Sequence, residues 1–248
     1  MFEVPVIRSS KLLEFPAVVF GMSTRQGGIS PEPYGLNLSF NVGDERDRVI
    51  ENRRRFFHTL RIGLEELAMP LQCNGNTVRR VHLPGGYENC DALVTSERGV
   101  YLVVTVADCI PVFMYDPNRH VVAAVHVGWR GAASGVIVET MRLLKEEFSS
   151  RPEDLVVSVG PSARACCYEV EEDVARKFPE QFLHAKSHGK FILDLHSFSK
   201  GVMIENGVRK ERIEDNGRCT ICTPELFHSY RRDGKHSGRM MGTIGLVR

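Results

Sequence analysis

The sequence lacks a dominant charge: 32 Lys and Arg stand against 31 Asp and Glu, a formal net charge of +1. That balance argues against a strongly basic nucleic-acid binder or a polyacidic tail, though a local basic patch stays open. Long apolar runs are missing too. The most apolar stretch, Val100–Ala107, is far short of the roughly 18 residues that suggest a membrane span. Met1–Arg8 has neither a basic start nor an apolar core of signal-peptide length, so a cytoplasmic location is expected. No repeat, low-complexity tract or Pro/Ser-rich linker divides the chain, and residues 1–248 are read as a single domain. Seven cysteines, an odd number, cannot all pair within one chain. A secreted disulfide scaffold is therefore disfavoured, and cysteine here means packing, metal binding or nucleophilic chemistry.

What is present reads as an ordinary globular chain, 42% hydrophobic and 25% charged. Val18–Ser23 is predicted as a strand running into a loop at Thr24–Gly28. Asp44 is placed as a helix cap, with Val49, Arg53, Phe56, Phe57 and Leu60 along one face. Tyr101–Val106 and Val121–Val127, rich in β-branched residues, read as buried strands, and Leu155–Val159 as another. Val136, Ile137, Met141, Leu144 and Phe148 recur at helical spacing and predict a helix over Ala132–Phe148. Glu171–Phe178 and His196–Ile204 are read as further helices. Adjacent strand pairs with separate helices favour an α+β fold over regular βαβ repetition.

Asp116-Pro117-Asn118-Arg119 has the composition of a type I turn. If it closes an antiparallel hairpin with Asp116 opposite Arg119, the same register sets Cys109 opposite His126. Their Cβ atoms would then lie roughly 4.5–5.5 Å apart on one face. Pro111 is the weak point, because it removes a ladder hydrogen bond. A facing Cys and His can hold zinc, or the imidazole can activate the thiol as a nucleophile. A buried free cysteine beside a satisfied core histidine is the plainer alternative. Asp108 would point the other way and needs its own partner, with Arg130 the candidate. Gly128-Trp-Arg-Gly131 leads into the predicted helix, whose free N–H groups and Arg130 would favour an anion; a bland surface turn is the alternative.

Other signals are weaker. Tyr230–Arg239 gathers four cationic side chains, Arg231 among them, in a glycine-punctuated loop that is either a solvated surface or a phosphate site. Cys219-Thr-Ile-Cys222 is a lone C-x-x-C, read as packing and turn chemistry before any redox or metal role. Cys166 and Cys167 are adjacent, would face different ways, and are read as structural. Trp129 either stacks on a purine or anchors packing. His184, His188 and His196 form no ligand pattern with Cys109.

Ser23-Thr-Arg-Gln-Gly-Gly28, Tyr34-Gly-Leu-Asn-Leu38, Val42-Gly-Asp44, Cys90-Asp-Ala-Leu-Val-Thr95, Ala107-Asp-Cys109, His126-Val-Gly-Trp-Arg-Gly131, Tyr168-Glu-Val170, Cys219-Thr220 and Tyr230-Arg-Arg-Asp-Gly234 occur in this order along the chain. In that order they resemble the YfiH family, often labelled multicopper polyphenol oxidoreductase or laccase-domain proteins. The resemblance implies a layered α+β sandwich of mixed sheets with flanking helices, shared with a class of cysteine hydrolases. It implies a cytoplasmic enzyme of purine nucleosides: phosphorolysis of adenosine, inosine and methylthioadenosine, with adenosine deamination. Nucleoside and phosphate are then the partners, with no nucleic-acid polymer and no membrane. It also implies zinc held by two histidines and a cysteine, here Cys109 and His126.

The third ligand position does not match. The family's Gln-Val-His-Gly is Gln72-Cys-Asn-Gly75 here, so Asn74 stands where a histidine is expected, and Asn41 replaces a second usual histidine. Asparagine is a poor zinc donor, which weakens the expected site; Cys73 and His82 are the substitutes to consider. Copper ranks below zinc, because no histidine-rich tract could hold several coppers. The expected catalytic set is Cys109, His126, Arg130 and Arg231, with the two arginines holding phosphate. Two competitors remain: a metal-free Cys–His hydrolase or amidase, and a non-catalytic paralogue that binds a nucleoside or a partner protein.

Overall fold

The computed structural model describes residues 3–248; the first two residues of the Met1–Arg8 stretch lie outside the described residues. Two six-stranded sheets lie face to face. The first runs in the order Val6–Ile7, Val18–Ser23, Met240–Leu246, Tyr101–Val106, Leu67–Leu71, Gly85–Glu88. The second runs Ile213–Asp215, Val156–Val159, Ile110–Asp116, Val121–Val127, Ala92–Thr95, Val78–Arg80. Both mix parallel and antiparallel pairs.

Strand alternation builds the layers. Leu102 and Val104 face inward with Phe20, Phe113, Val122 and Ala124, forming the core between the sheets. Tyr101 and Val103 face the other way, packing with Phe56 and Phe57 of helix Arg46–Thr59. On the second sheet, Val121, Ala123, Val125 and Val127 turn outward against Val136, Ile137 and Leu144 of helix Val136–Phe148 and Met203 of helix Leu195–Glu205. The order is helix, sheet, sheet, helices: the layered α+β sandwich that the resemblance implied.

Strands Val18–Ser23, Tyr101–Val106 and Val121–Val127 end where the sequence placed them. Three expectations change. The helix predicted over Ala132–Phe148 is two pieces, Trp129–Ala133 and Val136–Phe148. They are separated by Ser134 and by Gly135, whose φ of 84° is left-handed and ends the first turn. Glu171–Phe178 shrinks to a helix over Glu172–Ala175, and helix Arg46–Thr59 starts from Glu45 instead of Asp44. Asp44 instead accepts hydrogen bonds from Ser30 Oγ at 2.8 Å and Asn37 Nδ2 at 2.9 Å.

The hairpin register also differs. Pro111, not Cys109, stands opposite His126, and Asp116 pairs with Val121. The turn holds four residues, with His120 at φ 50° and Asp116 Oδ1 accepting from Asn118 and Arg119 N–H. The shift is two residues, so the face is preserved. Pro111 costs the ladder nothing: its carbonyl accepts from Gly160 N–H on the other neighbour, and His126 N–H donates to Asp91 O.

Candidate functional site

Cys109 sits where the chain steps from one sheet to the other, between strands Tyr101–Val106 and Ile110–Asp116. The corner is made by Asp108, at φ 85°, a conformation that an L-residue adopts only under constraint. The constraint is visible: Asp108 Oδ1 accepts from Thr220 Oγ1 at 2.6 Å and Oδ2 from Arg231 N–H at 2.6 Å. Arg130, the expected partner of Asp108, is instead exposed, with its guanidinium 4.1 Å from the Trp129 ring centroid.

Asp91, buried at the start of strand Ala92–Thr95, organises the opposite side. Its carboxylate accepts from three consecutive backbone N–H groups: Cys73 at 3.2 Å, Asn74 at 3.0 Å and Gly75 at 2.7 Å. It also accepts from Cys73 Sγ and pairs with His126 Nδ1 at 2.7 Å. Burial works against its charge, but hydrogen bonds from His126, Gly75 and Cys73 outweigh that and hold Asp91 below the usual carboxylate range. Burial likewise works against a charged His126. Its closeness to Cys109 and its bond to Asp91 win, raising His126 to about 9. With Nδ1 committed to Asp91, Nε2 is left for Cys109 and the cleft.

Gly128 shows how closely the site is drawn together. A Cβ there would meet Asn74 Oδ1 at 3.0 Å, Cys109 Sγ at 3.2 Å and His126 Cε1 at 3.7 Å. The three family ligand positions therefore surround one point. The donors are a thiol, an imidazole with a carboxylate behind it, and a neutral amide oxygen. The first two suit zinc; the third, a neutral amide oxygen, does not complete a three-ligand zinc site. The substitutes fail. Cys73 is turned to Asp91, whose hydrogen bond pushes its thiol up, and His82 pairs with Glu97 at 3.0 Å on the surface.

The pair opens into a cleft of about 1130 Å³, ample for a nucleoside with a second small ligand. Four arginines line it, Arg53, Arg130, Arg231 and Arg239, against one carboxylate, Asp108, already satisfied. Burial, with repulsion from Arg46, pulls Arg53 down to about 10, which leaves it charged at neutral pH. Aromatic faces interleave with them: Arg53 lies 4.1 Å from the Phe40 ring, Arg231 4.9 Å from Tyr168, Arg239 5.5 Å from Tyr230. Asn41 and Asn74, the two departures from the family pattern, both line the cleft.

Cys109, His126, Asn74, Arg130 and Arg231 thus share one cleft. Sequence reasoning passed over Asp91 as a site residue, although it stands in the quoted Cys90–Thr95 motif. The sequence sets Arg53 on a helix face and Arg239 among the four cations of the Tyr230–Arg239 loop, but nothing local signals that the two meet in the cleft. Cys166 and Cys167, read as facing apart, do not: Cys222 Sγ lies 3.4 Å from Cys166 Sγ and 2.9 Å from Cys167 Sγ.

A family profile described as multi-copper polyphenol oxidoreductase laccase matches residues 19–247. The chain is 33% identical over 249 residues to purine nucleoside phosphorylase YlmD of Geobacillus stearothermophilus, covering 93% of this chain and 91% of that one. It is 36% identical to a purine nucleoside phosphorylase of Deinococcus radiodurans, covering 99% and 94%. The crystal structure of YlmD from Geobacillus stearothermophilus superposes with a TM-score of 0.91 at 31% identity, covering 97% of this chain and 94% of that one. With a cleft built on the family's own motif positions, this chain belongs to the YfiH family of multi-copper polyphenol oxidoreductase laccase-type proteins.

Proposed function

We propose that the protein is a purine nucleoside phosphorylase acting on adenosine, inosine and methylthioadenosine. The observation that carries this reading is the cleft's charge: four arginines and one satisfied carboxylate around His126, whose ring Asp91 holds at 2.7 Å. Arg130 and Arg231 hold phosphate against the anomeric carbon of the sugar, and the flanking aromatic faces take the purine. A phosphate oxygen forms the new bond to that carbon as its bond to the purine nitrogen breaks. His126 supplies the proton that the leaving purine needs, and dihydrogen phosphate returns one to the imidazole. The products are the free base and the sugar 1-phosphate: ribose 1-phosphate from adenosine or inosine, 5-methylthioribose 1-phosphate from methylthioadenosine. Adenosine deamination is a second activity of the same cleft: water adds to the purine carbon that bears the amine, and ammonia leaves to give inosine. Purified protein given adenosine with and without phosphate is expected to release adenine only with phosphate. Adenine release that ignores phosphate sinks the reading.

A metal-free Cys–His hydrolase is the second reading, because Asp91, His126 and Cys109 form the carboxylate–imidazole–thiol series of such enzymes. Alkylation of Cys109 separates the two. It abolishes turnover if the thiolate attacks substrate, but leaves phosphorolysis partly intact if Cys109 only holds His126 protonated.

A further inference from the structure

Four of the seven cysteines lie away from Cys109, in two short turns, and their sulfurs all fall within 4.8 Å of one another. The turns are held together by backbone. Ser162 and Cys219 form a parallel bridge, with Thr220 N–H donating to Ser162 O at 3.0 Å. Around Arg164 the chain curls tightly enough that Cys167 and Tyr168 N–H both donate to Arg164 O at 2.9 Å. That curl brings neighbouring Cys166 and Cys167 to the same side. We propose that Cys166, Cys167, Cys219 and Cys222 are a four-thiolate zinc site that clamps the Arg164–Tyr168 turn to the Cys219–Cys222 turn.

The spacing suits the ion. Four sulfurs about 2.3 Å from a tetrahedral zinc stand about 3.8 Å apart. The sulfur separations of 2.9 and 3.4 Å and the 4.8 Å limit of the cluster bracket that edge. A disulfide would need about 2.05 Å, and all four cysteines are free. Soft sulfur donors select zinc over magnesium or calcium. Arg232 Nη1 braces the second turn through Thr220 O at 2.9 Å and Ile221 O at 3.3 Å. Cys219 is buried while Cys166 and Cys222 are exposed, which gives the ion an entry path. Binding is not a redox step: Zn²⁺ takes four thiolates and the displaced protons leave to solvent.

The clamp reaches the cleft through its immediate neighbours. Tyr168, beside Cys167, stacks on Arg231, and Thr220, beside Cys219, holds Asp108 at the corner before Cys109. The inference stands independently of the nucleoside reading. Metal analysis of protein purified under reducing conditions with zinc present tests it, using wild type, Cys109→Ala and Cys222→Ser. About one zinc per chain is expected in wild type and Cys109→Ala, and a loss of most of it in Cys222→Ser. Cobalt loaded into wild-type protein should give the intense sulfur-to-metal and tetrahedral bands of a four-thiolate site. Removing zinc should speed amide exchange across residues 163–168 and 219–222. Wild-type protein that stays zinc-free, or zinc that departs with Cys109→Ala and survives in Cys222→Ser, overturns the site. Unchanged exchange on zinc removal overturns the clamp.

Discussion

Asp91 carries more of the site than any residue singled out from the sequence alone. Its carboxylate fixes the loop of Asn74 and orients the ring of His126 with one pair of oxygens. Replacing Asp91 with Asn removes a charge that helps hold His126 near 9, so His126 falls toward its ordinary value of 6.5. If His126 is the proton donor, activity declines as pH rises through His126's pKa. The alkaline limb of the pH–rate profile, near 9 in wild type, should move by a unit or more toward acid in Asp91→Asn. A limb that stays in place removes His126 from proton transfer. Asn74 makes a separate prediction. Asn74→His supplies the imidazole missing beside Cys109 and His126, and should add about one zinc per chain, chelator-sensitive, on a background of Cys222→Ser. No added zinc would mean that the left-handed backbone at Asn74, φ 60°, aims the new ring away.

Elements show why Cys109 and His126 were legible despite a wrong register. Their expected pairing came from a short turn, and the turn proved to be longer, but a two-residue shift leaves every side chain on its own face. Strand ends were legible because the apolar runs give way to the Thr24–Gly28 loop, to Ala107-Asp108 and to Gly128. The break at Gly135 was not, since the apolar spacing of Val136–Phe148 continues the same face across it. Nor was the thiol cluster, because adjacent cysteines point apart only in an extended chain and Cys166–Cys167 lies in a turn. The contact between the two sheets makes its own prediction. A Cβ on Gly242 would sit 2.4 Å from Phe113 Cζ, in a ring that packs edge-on against Phe20 at 5.0 Å. Gly242→Ala should lower unfolding stability by about 1–3 kcal/mol, read from urea denaturation. Unaltered stability would show that Phe113 has room to withdraw.

For the whole molecule, near-neutrality conceals an uneven distribution. A net charge of +1 leaves little long-range field, yet the cleft gathers Arg53, Arg130, Arg231 and Arg239 around a single acid. They come from helix Arg46–Thr59, from the short helix Trp129–Ala133 after strand Val121–Val127, and from the segment before strand Met240–Leu246 that includes the short helix Tyr230–Asp233, so only the folded layers assemble them. Three of them are committed: Arg53 donates to Leu38 O, Arg231 to Glu169 O, and Arg239 to Ser237 O. Arg130 is exposed and stacked on Trp129, its fork paired with no carboxylate among the described residues, which makes it the arginine most free to meet phosphate. A charge-assisted hydrogen bond of this kind is worth about 1.5–3 kcal/mol. Arg130→Ala should therefore lower kcat/KM for phosphate by about 10- to 100-fold while binding of the nucleoside alone changes little. Arg130→Lys should recover part of the loss, since a point charge replaces a fork. Added sodium chloride should raise the KM for phosphate in wild type and do so less in Arg130→Ala, because screening acts on the charge that the variant has lost. Phosphate kinetics indifferent to all three changes would take Arg130 out of the anion site.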